Sequence, residues 1–317
     1  MTIILLLAGL GLIVLGADWL VDGASAIARK AGVSEFVIGL TIVGFGTSCP
    51  ELVVSLTGAI QGNADISIGN VIGSNIFNAL FILGITAVIL PVSMTDENRK
   101  RDIPVTLAVS VILVLSGMSK TLLGIGATDA LTRVEGIGFL ILFAAYLYFC
   151  FKFDSKDQTD MPEQKQMKLP MAIFAVTAGL VGLIFGGDLF VDSATELARR
   201  LGVSDKFIAI TILAGGTSFP ELATCIVAAA RHKDQLALGN ILGSNVFNIL
   251  LILGCSSVIT PLSFGGMSLV DAGILIVSCL LLLLWAYSGS KCRIDRWEGA
   301  LMLLVFAAYY CYLFEKP

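Results

Sequence analysis

The chain has 317 residues, of which 56% are hydrophobic and 14% charged, and its formal net charge is −4. Its mean hydropathy is +0.91. A soluble domain carries roughly a quarter charged residues, so this composition excludes an ordinary soluble protein, and no basic tract indicates a nucleic-acid partner. The opening MTIILLL has neither a positive n-region nor a small-residue cleavage site. We therefore interpret it as a retained first span and not as a signal peptide.

Ten apolar runs are long enough, or nearly so, for a helix that crosses a membrane, which needs about 20 apolar residues. Strand-like alternation is absent from them, which argues against a barrel. The sequence thus predicts an all-α polytopic membrane protein with ten transmembrane helices. The runs lie near residues 2–27, 36–60, 66–90, 103–119, 133–153, 169–198, 206–230, 236–263, 267–289 and 297–314.

Two motifs of the first half recur 170 residues later in the second half. GTSCPE at 46–51 corresponds to GTSFPE at 216–221, and GNVIGSNIFN at 69–78 corresponds to GNILGSNVFN at 239–248. Because each half holds five spans, an odd number, the second copy enters the membrane from the opposite side. Such inverted repeats are typical of secondary transporters.

We therefore expect two inverted five-helix repeats, residues 1–153 and 169–317, joined by a polar linker at 154–168. Lys and Arg collect in the connections that are cytoplasmic if the N-terminus lies outside, although Arg199 and Arg200 fall on the opposite side. This bias predicts extracellular termini and a cytoplasmic linker. The predicted location is the lipid bilayer of the cell (inner) membrane, as a multi-pass protein.

The second predicted span contains Gly44, Gly46 and Pro50, which weaken or remove helical backbone hydrogen bonds. We expect the helix to break there and to free the carbonyl groups from Gly44 to Thr47 as cation ligands. Such breaks are tolerated at membrane depth where they line a cavity or are buried in protein. The helices predicted to be broken are 2, 3, 7 and 8.

Each GTS-x-PE motif also places a glutamate, Glu51 or Glu221, inside an apolar run. A carboxylate at the bilayer centre costs several kcal/mol, and such residues usually mark an ion or proton path. With Ser48 and Ser218 the glutamates also have the spacing of a capping box, so helix capping is the alternative. Two glutamates at repeat-related positions beside predicted breaks favour ion binding, and both roles can coexist.

The third and eighth spans each carry Asn, Ser and Asn at intervals of four residues, a polar stripe on one helical face. Hydrogen bonding between helices is the alternative for the asparagines, including Asn75 and Asn245. It is weakest for Asn78 and Asn248, which lie deepest from the loop. The stripes are Asn70, Ser74 and Asn78, and Asn240, Ser244 and Asn248.

These side chains offer carboxylates, amide carbonyls and hydroxyls, without a histidine or paired-cysteine site. Ca²⁺ takes oxygen ligands in flexible geometry, Mg²⁺ dehydrates reluctantly, and softer metals recruit imidazole or thiolate. The set therefore predicts a Ca²⁺ site in which two glutamates cancel the charge of the ion. No cofactor and no obligate protein partner are expected.

The paired motifs resemble those of the Ca²⁺/cation antiporter superfamily, in particular sodium/calcium exchangers of the prokaryotic type. The resemblance implies cation sites at the midplane of a ten-helix fold, whose first and sixth helices slide or rock to alternate access. It implies Na⁺ and Ca²⁺ as transported ions and Glu51 and Glu221 as their shared ligands. The other ligands it implies are main-chain carbonyls of Thr47, Thr217, Gly44 and Ala214, hydroxyls of Ser48, Ser218, Ser74 and Ser244, and amides of Asn78 and Asn248.

One departure from that pattern is Asn248, where several relatives, including the potassium-dependent branch, have aspartate. It weakens the case for K⁺ co-transport and leaves the Na⁺ stoichiometry open. The leading hypothesis is Na⁺/Ca²⁺ antiport, with Ca²⁺/H⁺ exchange as the alternative and a cation channel as the third. A membrane enzyme is disfavoured because no HExxH motif, nucleotide loop or nucleophile–histidine pairing is present.

Four further acids, Asp18, Asp22, Asp188 and Asp192, lie in or at the ends of the first and sixth predicted helices. They are candidate ion-entry acids, because an acidic mouth concentrates cations. Ordinary solvation of the helix ends is an equal alternative.

Overall fold

The computed structural model describes residues 1–153, 167–203, 214–288 and 292–315. Within these ranges most residues are helical, and β-structure is limited to four two-residue strands. Seven of the described helices are long and apolar enough to cross a membrane, or eight if the pair flanking Ser48 is one span. The prediction of an all-α polytopic membrane protein is confirmed, whereas ten helices and the inverted repeat remain predictions.

Two predicted features lie largely or partly outside the described residues. The linker predicted at 154–168 is described only at Met167 and Lys168. The seventh span, predicted at 206–230, is described from Ala214 onward.

Residues 1–153 form nine α-helices, with π-helical segments at Gly39–Val43, Phe77–Ile82 and Asn98–Asp102. The first helix ends with two basic residues, which favour the negative end of the helix dipole, and Gly32 closes it in the left-handed conformation at φ 67°. The α-helices are α1 (Thr2–Ala31), α2 (Glu35–Ile38), α3 (Gly44–Thr47), α4 (Cys49–Ile60), α5 (Ala64–Ile76), α6 (Leu83–Ile89), α7 (Ile103–Gly117), α8 (Ser119–Leu123) and α9 (Arg133–Lys152).

The described residues from 167 onward form seven more α-helices and a π-helical segment at Phe247–Leu253. One of these helices starts with a capping box, in which Ser268 and Asp271 satisfy each other's backbone N–H groups. The α-helices are α10 (Leu169–Arg200), α11 (Ala214–Gly216), α12 (Phe219–Ala230), α13 (Asp234–Val246), α14 (Gly254–Ile259), α15 (Leu269–Tyr287) and α16 (Arg296–Glu315).

Two of the four predicted helix breaks are present. Ser48 separates α3 from α4, and turn residues Thr217 and Ser218 separate α11 from α12. The predicted breaks in the third and eighth spans are wrong, because Ala64–Ile89 and Asp234–Ile259 each continue as one helix through a π-helical segment. Neither of these spans contains proline, and a π-helical turn adds a residue without ending the helix.

The chain divides into two compact units, each with segments from both predicted repeats. The two compact units therefore do not coincide with the two sequence repeats. One boundary between the units falls within α13, after Gly243. The first unit comprises residues 1–48, 150–243 and 307–317, and the second comprises 49–149 and 244–306.

The first unit is built on close backbone contact between α1 and α10. A Cβ on Gly16 would lie 2.8 Å from the carbonyl oxygen of Gly179, and one on Gly23 would lie 2.7 Å from that of Ala172. Gly9 is equally close to the backbone of Phe190. Because these glycines recur every seven residues, they share one helix face, and small residues there let the two backbones touch.

The second unit contains two short antiparallel ladders, which join its polar connections. β1 (Val92–Ser93) pairs with β4 (Arg293–Ile294), and β2 (Ala130–Leu131) pairs with β3 (Leu262–Ser263). Apolar strand residues are buried in both ladders. Phe264, directly after β3, packs its ring on Gly117 at the end of α7, where a larger side chain would collide with it.

Candidate cation-binding site

A hydrogen bond in the first unit connects two predicted ligands that come from the two GTS-x-PE motifs. The hydroxyl of Ser48 donates to Oε1 of Glu221 at 3.1 Å. Both side chains are buried, and Glu221 lies in the first turn of α12, after Pro220. Ser48 reaches it because α3 ends at the preceding residue. The helix break therefore positions one motif to bind the carboxylate of the other.

Thr47 and Gly44, predicted as main-chain ligands, lie in the same unit. The Thr47 hydroxyl donates to the carbonyl of Val43 at 3.0 Å and to Oδ1 of Asn240 at 3.1 Å. The Gly44 carbonyl accepts from the backbone N–H of Ser48 at 3.1 Å, so the expectation that the break removes it from helical hydrogen bonding is wrong, and only its second lone pair remains for a cation. The proton of the Thr47 hydroxyl is thus shared between its own helix and Asn240 on α13.

The remaining predicted ligands of the first unit surround the start of α12. Ala214 begins α11, Thr217 is half-buried, and Ser218 is buried. The capping box expected for Ser218 is wrong, because its side chain makes no cap hydrogen bond. Its backbone, at φ −94° and ψ 7°, is not in the extended conformation that capping requires.

The second unit holds the other glutamate with its own set of polar groups. Glu51 is buried in the first turn of α4, and the Ser74 hydroxyl donates to its Oε1 at 3.4 Å. Asn70 donates to the main-chain carbonyl of Glu51 at 3.1 Å and to the Ser55 hydroxyl at 2.9 Å. Asn70 therefore holds α5 on the turn that presents the carboxylate.

Two amide oxygens of the second unit are buried without a hydrogen-bond donor among the described residues. They are Oδ1 of Asn78 and Oδ1 of Asn248, both on π-helical segments. Ser244, the first residue of the second segment of this unit, is also buried. A buried polar atom that lacks a partner costs free energy, and a cation ligand is one function that accounts for such an oxygen.

Both glutamates lie in the first turn of a helix, where the dipole favours a negative charge. Each of the two sets thus combines a buried glutamate with hydroxyl and amide groups. Within the described parts of the chain, no group of three or more His, Cys, Asp or Glu side chains is placed to hold a metal. Oxygen ligands suit a hard cation, and a ligand set with few negative charges binds it weakly enough for release.

Asp18 and Asp22, two of the candidate ion-entry acids, form ion pairs with one arginine. Nη2 of Arg231 lies 2.5 Å from Oδ1 of Asp18, and Nη1 contacts Oδ1 of Asp22. All three side chains are partly exposed, and Arg231 directly follows α12. One positive charge therefore offsets one of the two negative charges on this face of α1.

The turn after α12 contacts α1 at a second point. The ammonium group of Lys233 donates to the Ser25 hydroxyl at 2.7 Å. Burial lowers the pKa of Lys233, against the attraction of Glu35 and Asp22. The other two candidate entry acids, Asp188 and Asp192, are exposed on α10.

Sequence reasoning did not predict Arg231 as a partner for these acids. Comparison of the two repeats contains a signal for it. Position 231 is a charged arginine, whereas the corresponding position of the first repeat is the uncharged Gln61. Hydrogen bonding between helices is the alternative that the sequence leaves open for Asn75 and Asn245, and they do bond across helices, to the amides of Asn248 and Asn78. Their partners could not be read from spacing alone.

The apolar helices and the buried oxygen groups at helix breaks define an ion-transporting, multi-pass membrane protein. The family model described as sodium/calcium exchanger protein matches residues 1–152 and 171–315. The chain therefore belongs to the sodium/calcium exchanger family, whose members are transporters and not enzymes.

Individual relatives cover nearly the same length. The chain is 33% identical to the sodium/calcium exchanger MaX1 of Methanosarcina acetivorans, over 98% of each protein. It is 36% identical to the inner membrane protein YrbG of Escherichia coli, over 81% of this chain and 79% of that one. A solved structure of the sodium–calcium exchanger NCX_Mj, soaked with Na⁺ and Ca²⁺, matches with a TM-score of 0.83 and 34% identity, over 98% of this chain and 97% of that one.

Proposed function

We propose that the protein is a secondary active antiporter that exchanges Na⁺ for Ca²⁺ across the cell membrane by alternating access. Glu51 and Glu221 are the charged ligands for which the two ions compete. Exchange follows from this competition, because one ion can bind the glutamates only after the other ion has left them.

The observation that carries the proposal is the pair of serine–glutamate hydrogen bonds, Ser48 to Glu221 and Ser74 to Glu51. Each bond orients a buried carboxylate at the N-terminus of a helix. An ionised carboxylate at this depth is costly unless a cation or a proton compensates it. The names of the related exchangers, which specify sodium and calcium, support Na⁺ and Ca²⁺ as the compensating ions.

The remaining ligands of the proposal are oxygens of the same two sets. The amides of Asn78 and Asn248 and the hydroxyls of Ser48, Ser74, Ser218 and Ser244 complete the coordination of the ions. Main-chain carbonyls of Gly44, Thr47, Ala214 and Thr217 contribute where the helices are interrupted. The orphaned, buried Oδ1 atoms of Asn78 and Asn248 support this assignment most directly. We also place both termini on the extracellular side, from the distribution of Lys and Arg.

The test is radioactive Ca²⁺ uptake by proteoliposomes that contain the purified protein. One set is loaded with Na⁺ and diluted into Na⁺-free medium, a second carries only a proton gradient, and a third carries no gradient. Uptake that requires internal Na⁺ supports the proposal. Uptake driven by protons alone would replace Na⁺ by H⁺ as the coupling ion, and fast uptake without a gradient would indicate a channel.

A further inference from the structure

Four buried asparagines of the second unit form two crossed hydrogen bonds. Nδ2 of Asn248 donates to Oδ1 of Asn75 at 3.0 Å, and Nδ2 of Asn78 donates to Oδ1 of Asn245 at 3.2 Å. All four side chains are at most 2% exposed. The two bonds are related by the sequence repeat, because each joins the GSN asparagine of one motif copy to the last asparagine of the other.

One main-chain group determines how the first of these pairs must be oriented. Nδ2 of Asn75 donates to the carbonyl oxygen of Asn245 at 3.1 Å. A main-chain carbonyl can only accept a hydrogen bond, so Asn75 must turn its nitrogen toward it and its Oδ1 toward Asn248. Asn248 must then present its own nitrogen to Asn75. The hydrogen bonds from Asn248 to Asn75 and from Asn75 to the carbonyl of Asn245 form a short relay, and Oδ1 of Asn248 is directed away from it.

The oxygens at the ends of both pairs are those that lack a donor among the described residues. Oδ1 of Asn248 and Oδ1 of Asn78 are buried and accept no hydrogen bond there. If the amide of Asn248 alone were rotated by half a turn, its Oδ1 would face Oδ1 of Asn75. Each crossed bond uses the nitrogen of the last asparagine of its motif and leaves the oxygen of that amide, and not its N–H₂ group, without a donor among the described residues.

We propose that Asn75 and Asn245 are positioning residues for cation binding, which hold the amide oxygens of Asn248 and Asn78 toward the transported ion. The inference rests on the proposed function for the identity of that ion. It also assigns a specificity role to Asn75. An ionised aspartate at 248 would meet Oδ1 of Asn75 without a proton to donate, so Asn75 selects a neutral ligand at this position.

Ca²⁺ affinity of the purified protein tests the inference without reference to the coupling ion. Calorimetric titration compares Asn75→Ala, Asn248→Ala and the double variant with the wild type. Loss of a group that orients a ligand typically weakens metal affinity about 10-fold or more. We expect about a 10-fold loss for Asn75→Ala and no further loss in the double variant relative to Asn248→Ala, because Asn75 acts through Asn248. Asn245→Ala and Asn78→Ala form the matching cycle.

The control is Asn63→Ala, which removes the exposed asparagine whose Oδ1 caps the start of α5. It should leave Ca²⁺ affinity unchanged. If Asn75→Ala does not fold, Asn75→Ser is titrated instead, since its hydroxyl is too short to reach both partners of the relay. The thermal midpoint of each variant is measured without Ca²⁺.

Two results would overturn the inference. In the first, Asn75→Ala lowers the thermal midpoint but retains wild-type Ca²⁺ affinity, which is the signature of packing alone. In the second, the losses of Asn75→Ala and Asn248→Ala multiply in the double variant, so that the residues act independently. If the variants lose Ca²⁺ affinity as expected but the wild-type protein does not exchange Ca²⁺ for Na⁺, the proposed function is refuted and this inference stands.

Discussion

The hydroxyl of Ser48 donates to Oε1 of Glu221 across 173 positions of sequence. The bond exists because α3 stops at Thr47, which turns Ser48 out of the regular helix, and because Glu221 occupies the first turn of α12. Because a hydroxyl is neutral, this hydrogen bond does not offset the charge of an ionised carboxylate. The ionised carboxylate can therefore attract a cation, which a carboxylate neutralised by a salt bridge could do only by giving up its partner.

Removal of this charge should abolish Ca²⁺ transport. Glu221→Gln keeps the size of the side chain but loses the charged ligand, and Glu51→Gln does the same in the second unit. Losing one partner of a buried, charged interaction costs enough free energy for about a 100-fold effect. Initial rates of Na⁺-driven Ca²⁺ uptake in proteoliposomes provide the measurement.

The matched control for these variants is Glu315→Gln, at an exposed position in the last turn of α16. It should transport at the wild-type rate. Size-exclusion profiles and thermal midpoints of all three variants should match the wild type, which separates transport from folding. Uptake above half the wild-type rate in either buried variant would refute the ligand assignment.

Ser48→Ala should weaken Ca²⁺ transport less than the glutamate variants do. It removes the bond to Oε1 of Glu221 and leaves the charge in place, and a hydrogen bond to a charged group is worth roughly a 10-fold change in affinity. The expected result is a rise in the KM for Ca²⁺ with a smaller change in maximal rate. Ser278→Ala is the control, because this buried serine donates to the carbonyl of Leu275 within α15, away from both glutamates in the chain. Equal kinetics of Ser48→Ala and Ser278→Ala would contradict the role of the hydroxyl.

Local features of the site follow from the sequence, and long-range contacts do not. The break before Glu51 was predictable, because Gly44, Gly46 and Pro50 weaken the helix from within. The π-helical segments in the third and eighth spans were not predictable, since Phe77–Ile82 and Phe247–Leu253 contain neither proline nor glycine. The ion pairs of Arg231 with α1 likewise join positions more than 200 residues apart.

The asparagines illustrate the same limit. Their four-residue spacing predicts a shared helix face, and the motif repeat indicates that both copies behave alike. Which asparagine bonds to which, and which atom of each amide is left over, depends on how the two helices cross within the second unit. The roles of Glu51, Glu221, Asn78 and Asn248 as ion ligands remain predictions, which the transport and binding experiments test.

Asn248→Asp should change the dependence on monovalent ions more than the KM for Ca²⁺. The new carboxyl group meets Oδ1 of Asn75, and it can keep that hydrogen bond only while it carries a proton. As pH rises, loss of this proton adds a negative charge at position 248, so the effect on Na⁺ activation should grow with pH. Ca²⁺ uptake at varied Na⁺ and K⁺, at several pH values, measures it. Asn63→Asp, at the N-cap of α5, serves as the control. An ion profile of Asn248→Asp equal to that of the wild type at every pH would contradict the prediction.

Arg231→Gln should strengthen the attraction of cations to α1 at low ionic strength. The substitution removes the positive charge that pairs with Asp18 and Asp22, so the local charge becomes more negative by one unit. An added negative charge at about 8 Å from a divalent ion lowers the energy of the ion in water by about 1 kcal/mol, enough for about a five-fold fall in KM. The effect should disappear at about 0.5 M salt, where the Debye length is only a few ångströms. Measurement of the KM for Ca²⁺ at both ionic strengths gives the answer.

Two comparisons make the Arg231 experiment specific. Arg200→Gln removes an exposed arginine that pairs with Glu196 on α10, and it should leave the KM unchanged. Asp18→Asn and Asp22→Asn, added to Arg231→Gln, should return the KM to the wild-type value or above it, because the attracting charges are then gone. A KM that stays constant in all of these variants at low ionic strength means that Asp18 and Asp22 lie off the ion path. Their ion pairs with Arg231 would then serve only to hold α1 on the turn that follows α12.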